Sequence, residues 1–305
     1  MRKVLVGVVL SALALVGAWT GLSPVQSATA GGGDLQVVAA ENFWGSIASQ
    51  LGGDRVHVTS VITSPATDPH DYEPTAADAR TIAGAQMVIV NGIGYDPWAD
   101  KLIAASPVQG RVVLNVGDLV GIEPGGNPHR WYSPTDVQRV IDRIVRDYTK
   151  VDPKDAAYFK RRQSRFETHG LARYKQLIAT IEHRYHGVPV GASESIFAPL
   201  AQALGLNLLT PASFLKAIGE GTEPTARDIS TIDRQIARKQ INVWVLNSQN
   251  STPDVQRITG AARKRGIRVT TITETLTPAS ATFQAWQSRQ LEALAAALAK
   301  ATGRR

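Results

Sequence analysis

No cysteine occurs among the 305 residues. That excludes disulfide staples, a thiolate metal site and a cysteine nucleophile, and it leads us to expect no lipid-modified cysteine. No His-Glu-x-x-His pattern is present, so the helical zinc-protease arrangement is excluded too. Beyond residue 30 no apolar run is long enough to span a bilayer. The basic residues are scattered and not interleaved with aromatics, which argues against nucleic acid as a partner. The net charge of +7 suits an anionic cell envelope instead.

What is present begins with Met1-Arg2-Lys3, an apolar run over 4–19 and the small-x-small triplet Ala28-Thr29-Ala30. This has the form of a secretory signal peptide over 1–30, cleaved after Ala30, with an uncleaved anchor as the alternative. Loss of Arg2 and Lys3 with it takes the net charge from +7 to +5. The expected location is periplasmic or on the outer face of the cytoplasmic membrane. An apolar content of 43% against 19% charged residues is enough for a sizeable core.

Apolar or alternating runs at 35–40, 56–62, 87–91, 111–115, 188–192, 206–210, 241–247 and 268–273 predict strands. Helical spacing at 41–51, 75–84, 97–105, 133–150, 197–204, 225–239, 253–265 and 283–302 separates most of them. Strands alternating with helices predict parallel sheets covered on both faces. Residues 153–185 carry apolar side chains at helical spacing in a highly charged background. A helix of about 30 residues is roughly 45 Å long, the span of a domain. The expected fold is α/β, with two parallel-sheet lobes joined by a long α-helix and a ligand cleft between the lobes. The lobes are assigned to 31–152 and 187–305, and the connecting helix to 153–186.

In open α/β sheets, ligands bind beyond the carboxyl ends of the strands. Four residues with metal-ligand chemistry follow strand ends: His70, His129, Glu194 and Glu274. Two fall in each lobe. Two imidazoles and two carboxylates suit a divalent first-row metal. His70 sits in Asp68-Pro69-His70-Asp71-Tyr72-Glu73-Pro74-Thr75, where two prolines stiffen the backbone ahead of a helix. Asp68, Tyr72 and Glu73 are candidates to orient His70. Asn247 and Gln249 lie at a strand end in the second lobe. They are candidates to support the site, and an amide from 247–250 is the alternative to Glu274 as fourth ligand.

These stretches resemble the metal-binding solute receptors of ABC transporters, which handle zinc, manganese or iron. The eight residues from Asp68 to Thr75 resemble that family's first-ligand motif, and Asn127-Pro128-His129-Arg130-Trp131 resembles its second. Gly221-Thr222-Glu223-Pro224-Thr225 is similar to its Glu-Pro-Ser segment, and Glu274 falls where the family places its last carboxylate. The resemblance covers nearly all of the chain after residue 30. It implies a receptor, not an enzyme, that binds Mn²⁺ or Zn²⁺, or Fe²⁺, as transported ligand. It also implies a membrane permease as partner, and we expect a monomer. The chain departs from the zinc receptors in having Glu194 where they have a third histidine, and in lacking a His-rich loop. It departs from the manganese receptors in having glutamate, not aspartate, at 274. Oxygen-rich ligation tilts the choice toward manganese. The competing readings are a secreted metallohydrolase, a serine hydrolase using Ser193 in Gly-Ala-Ser-Glu-Ser, and a metal-stabilised adhesin.

Overall fold

The computed structural model describes residues 34–67 and 72–304. The expected signal segment and the stretch Asp68-Pro69-His70-Asp71 lie outside the described residues. Strands β1 (Leu35–Glu41), β2 (Val56–Ile62), β3 (Met87–Val90) and β4 (Val112–Asn115) form a parallel sheet in the order β2-β1-β3-β4. Strands β5 (Pro189–Ala192), β6 (Asn207–Leu208), β7 (Val243–Asn247) and β8 (Arg268–Ile272) form a second, in the order β6-β5-β7-β8. Each sheet therefore has its first strand between its second and third. The chain leaves that strand on one side and returns on the other, which creates a crevice at the carboxyl ends of β1 and β3 and again at β5 and β7.

Helices α1 (Asn42–Gly52), α2 (Ala76–Ala83), α3 (Pro97–Ala105), α4 (Val116–Val120) and α5 (Pro134–Val151) accompany the first sheet. Helices α6 (Ala156–Arg165) and α7 (Ala172–Tyr185) follow, and then α8 (Ala198–Ala203), α9 (Ala212–Gly219), α10 (Ala226–Ala237), α11 (Pro253–Lys264) and α12 (Phe283–Thr302). Local chemistry accounts for many boundaries. Thr75 caps α2 in a reciprocal box with Asp78, and Ser133 caps α5 ahead of Pro134. β3 is buried at all four positions, as a central strand covered on both faces must be.

Two helices fall outside the sequence reading. α4 has only five residues, too few to show a helical period. α9 has eight and follows Pro211 directly. The helical stretch over 153–185 is α6 and α7 joined through a π-turn, Phe166–Gly170, in which the Leu171 N–H donates to the Phe166 carbonyl at 2.8 Å.

One continuous apolar cluster runs from β1 and α1 through α5 and α7 to β5, β7 and α12. Phe43 stacks on Trp131 with ring centroids 4.0 Å apart, and Tyr95 packs against both. Full burial of such rings stabilises by about 1.5–3 kcal/mol each. α12 packs on α7 and also reaches α1. There Gln284 donates to the Gln50 side chain at 2.6 Å, and the Phe283 N–H donates to Ser46 Oγ at 2.9 Å. Among the described residues no helix is long and apolar enough to cross a membrane.

Candidate metal centre

His129, Glu194 and Glu274 are buried, and each offers a ligand atom within 4.8 Å of the others. Atoms bound tetrahedrally to one ion at about 2.1 Å stand about 3.4 Å apart, so the widest pair of this triad closes by roughly an ångström or more to hold a metal. All three follow strand ends, as expected from the sequence. Glu194 follows β5, Glu274 follows β8, and His129 follows β4 after the short α4 and a glycine-rich loop. His70 lies outside the described residues. The chain just before it is tied to the second sheet, because Gln249 Nε2 donates to the Pro65 carbonyl.

The neighbours of His129 set its tautomer. Asn127 Nδ2 donates to the Ser195 carbonyl at 2.7 Å, which leaves Asn127 Oδ1 facing the histidine. That oxygen accepts from the His129 backbone N–H at 3.0 Å and lies 2.9 Å from Nδ1. An amide oxygen can only accept, so Nδ1 carries the proton and Nε2 presents its lone pair. Nε2 is 3.8 Å from Glu194 Oε1. The proline of Asn-Pro-His supplies the turn that folds Asn127 back onto His129.

Each carboxylate is oriented by an amide. Glu194 Oε2 accepts from Asn250 Nδ2 at 2.6 Å. Glu274 Oε1 accepts from Asn247 Nδ2 at 2.9 Å, and its Oε2 accepts from the Tyr95 hydroxyl at 2.8 Å. Gln249 Oε1 accepts from the backbone N–H groups of Glu274 and Thr275 at 2.5 and 3.0 Å, which fixes the loop after β8. Such partners fix the two carboxylates in the orientation seen here, as outer partners do for side chains that bind metals. Burial, and then the nearby Glu274 carboxylate, push the Tyr95 phenol well above its ordinary range, so it remains a donor. Of the residues expected to orient His70, Tyr72 donates to Asp78 Oδ2 at 2.9 Å and packs edge-on to Trp98, while Glu73 is exposed. Asp68 lies outside the described residues.

Tyr95, Asn91, Asp96 and Glu41 were not anticipated. A signal existed in Gly92-Ile93-Gly94-Tyr95. Gly92 has φ 69°, and a Cβ there would meet Asn115 Oδ1 at 2.2 Å, so only glycine fits the tight turn that delivers Tyr95. Asn91 is fully buried, accepts from the Trp44 indole at 3.1 Å and donates to the Pro128 carbonyl at 2.9 Å, next to His129. Asn91→Ala is expected to weaken metal binding about tenfold and to destabilise the fold by about 1–3 kcal/mol, since the Trp44 N–H is left without an acceptor. Calorimetric metal titration and urea melts measure the two effects.

Asp96 accepts from the Asn91 and Gly92 backbone N–H groups at 2.7 and 2.8 Å. Burial nevertheless raises it to about 6, and raises its neighbour Glu41 well above the carboxylate range. A raised folded-state pKa means that the folded protein holds the proton more tightly. Stability from Asp96 is therefore greatest below about pH 4 and is lost as pH rises through about 6, by about 3 kcal/mol. The metal-free protein should gain melting temperature from pH 7 to pH 5, with a smaller gain in Asp96→Asn. Parallel slopes in the two proteins would refute this.

Residues 37–297 match the family model described as zinc-uptake complex component A, periplasmic. The manganese-binding lipoprotein MntA of Halalkalibacterium halodurans is 28% identical over 162 residues, covering 52% of this chain and 53% of MntA. The iron-binding protein YfeA of Yersinia pestis is 28% identical over 185 residues, covering 56% of this chain and 57% of YfeA. The chain thus matches about half the length of these relatives. The solved structure of the periplasmic zinc-binding protein TroA of Treponema pallidum has the same fold, with a TM-score of 0.70 at 17% identity, covering 87% of this chain and 99% of TroA. MntA is named a lipoprotein, so the expectation that no lipid is attached draws no support from these relatives.

Proposed function

We propose that this chain, which belongs to the family of the periplasmic zinc-uptake complex component A, is an extracytoplasmic receptor for a divalent transition-metal ion. It takes Mn²⁺ or Zn²⁺ as cargo and, as a monomer, delivers it to an ABC importer in the membrane. The observation that carries this reading is the buried triad of His129, Glu194 and Glu274, with ligand atoms within 4.8 Å of one another. His70, in the stretch that resembles the family's first-ligand motif, is assigned as the fourth ligand.

The chemistry supports a cargo site. Two ionised carboxylates balance a dication, so a loaded site carries little net charge where it is buried. Neutral imidazoles complete a nitrogen–oxygen set that accepts either ion, and zinc outbinds manganese at such sites when both are free. The names of relatives span manganese, iron and zinc, in keeping with a donor set that does not by itself select one ion. A receptor is favoured over a serine hydrolase because Ser193 is fully buried and its Oγ accepts from the Asn247 N–H at 2.9 Å.

The test is to strip the purified chain with a chelator, dialyse it against Mn²⁺ or Zn²⁺, and measure bound metal by elemental analysis. One ion per chain is expected with either metal, and zinc should displace manganese. A chain that retains neither ion after dialysis would overturn the reading.

A further inference from the structure

A concave site lies where the π-turn meets the end of α1. This cavity of about 430 Å³ is lined by Gln50, Arg162, Arg165, Phe166, His169 and Gly170. It contains two guanidinium groups and an imidazole, and no carboxylate among its lining residues. None of its residues belongs to the metal cluster. We infer that this cavity is an anion site that takes a phosphate group.

The basic side chains come from one face of one helical stretch. Arg162, Arg165 and His169 are spaced i, i+3 and i+7. The π-turn adds a residue to the turn beneath them, and such turns are concentrated at functional sites. Gly170 makes room for the apolar wall, since a Cβ there would meet the Phe166 ring at 2.9 Å.

Arg162 is already in position. Its Nε and Nη2 both donate to the Gln50 carbonyl, at 3.0 and 2.7 Å, which pins the guanidinium at the cavity wall. Three of its five N–H groups are left for another acceptor. Among the described residues Arg165 and His169 form no ion pair, and both are exposed.

The local charge is unbalanced. α6 carries Lys160, Arg161, Arg162 and Arg165 and no acid over its ten residues. The flanking carboxylates are engaged elsewhere. Asp155 pairs with Arg55 at 3.4 Å, and Glu167, which is not among the lining residues, keeps its charge but is turned toward Gln138 and Gln163, from which it accepts at 2.7 and 2.9 Å. A half-buried guanidinium with a second beside it and no counter-ion favours an incoming anion. Planar N–H forks with an imidazole donor suit a tetrahedral oxyanion with several acceptor oxygens. Both a free phosphate and the phosphodiester of a lipid headgroup offer that chemistry.

The experiment uses the metal-free chain, so that phosphate does not sequester the cargo ion. Inorganic phosphate is titrated calorimetrically into the wild type, Arg165→Gln and Arg165→Gln/His169→Gln. Co-sedimentation with phosphatidylglycerol vesicles is compared with phosphatidylcholine vesicles. One-to-one phosphate binding, weakened about tenfold by Arg165→Gln and further in the double variant, supports the site with soluble phosphate as its source. Preferential sedimentation with phosphatidylglycerol, lost in the double variant, supports it with a headgroup as the source. Equal behaviour of wild type and variants, or no phosphate binding and no vesicle preference, overturns it. The variants should still load one Mn²⁺, so failure of this site and failure of the metal reading are told apart.

Discussion

Glu194→Gln is expected to weaken metal binding by about two to three orders of magnitude and to leave the metal-free protein folded. The substitution keeps the volume of a fully packed side chain, and an amide oxygen can still accept from Asn250 Nδ2, now 2.6 Å from Glu194 Oε2. On the proposed receptor reading, what it removes is one of the two charges that would balance the cargo ion. Loss of one partner from a buried charge pair costs about 3–5 kcal/mol, and each 1.4 kcal/mol is about tenfold in affinity. In the metal-free state the sign reverses. Glu194 and Glu274 offer oxygens within 4.8 Å of each other, so a neutral amide relieves repulsion between them. The melting temperature of the metal-free variant should therefore equal or exceed that of the wild type. Competition titrations with a chromogenic chelator measure the affinity. An unchanged affinity would remove Glu194 from the ligand set.

Loading the chain is expected to raise its melting temperature by about 6–8 °C at neutral pH. An ion that binds only the folded state, at a free concentration about a thousandfold above its Kd, stabilises by about 4 kcal/mol. For a chain of this size each kcal/mol is worth about 1.5–2 °C, from an unfolding entropy of about 2.1 cal/mol/K per residue. The gain should shrink as the pH falls, because imidazole ligands must be neutral to bind and protons compete with the ion for them. The metal-free protein is predicted to move the opposite way over the same range, through Asp96. The two melting curves should thus converge toward pH 5. A gain that stays constant down to pH 5 would exclude histidine from the ligands.

Much of this was legible in the chain. The strands announce themselves as short apolar runs such as Met-Val-Ile-Val in β3, because a parallel sheet covered on both faces admits no polar alternation. Alternation of strands with amphipathic helices was enough to imply two parallel sheets. That His129, Glu194 and Glu274 follow strand ends could be read from the chain, because position relative to a strand is a local property; that they cluster could not. The helix caps at Thr75, Ser133, Thr225, Thr252 and Thr282 are likewise local, since each side chain accepts from a backbone N–H three residues on.

What the tertiary structure alone decided is the company those residues keep. The Tyr95 hydroxyl meets Glu274 across 179 residues, Asn250 meets Glu194 across 56, and Asn127 reaches the Ser195 carbonyl across 68. No periodicity encodes such pairs, because they depend on which sheet edges face one another. The burial that raises Asp96 and Glu41 follows from packing between α1 and the loop after β3. α12 lies against β7 and β8 and reaches α1 for the same reason: its apolar face shows that it must be covered, and only the assembled core determines by what. The sequence therefore determined the elements and the kinds of atom available to hold an ion. The packing of the two sheets determined their distances and protonation.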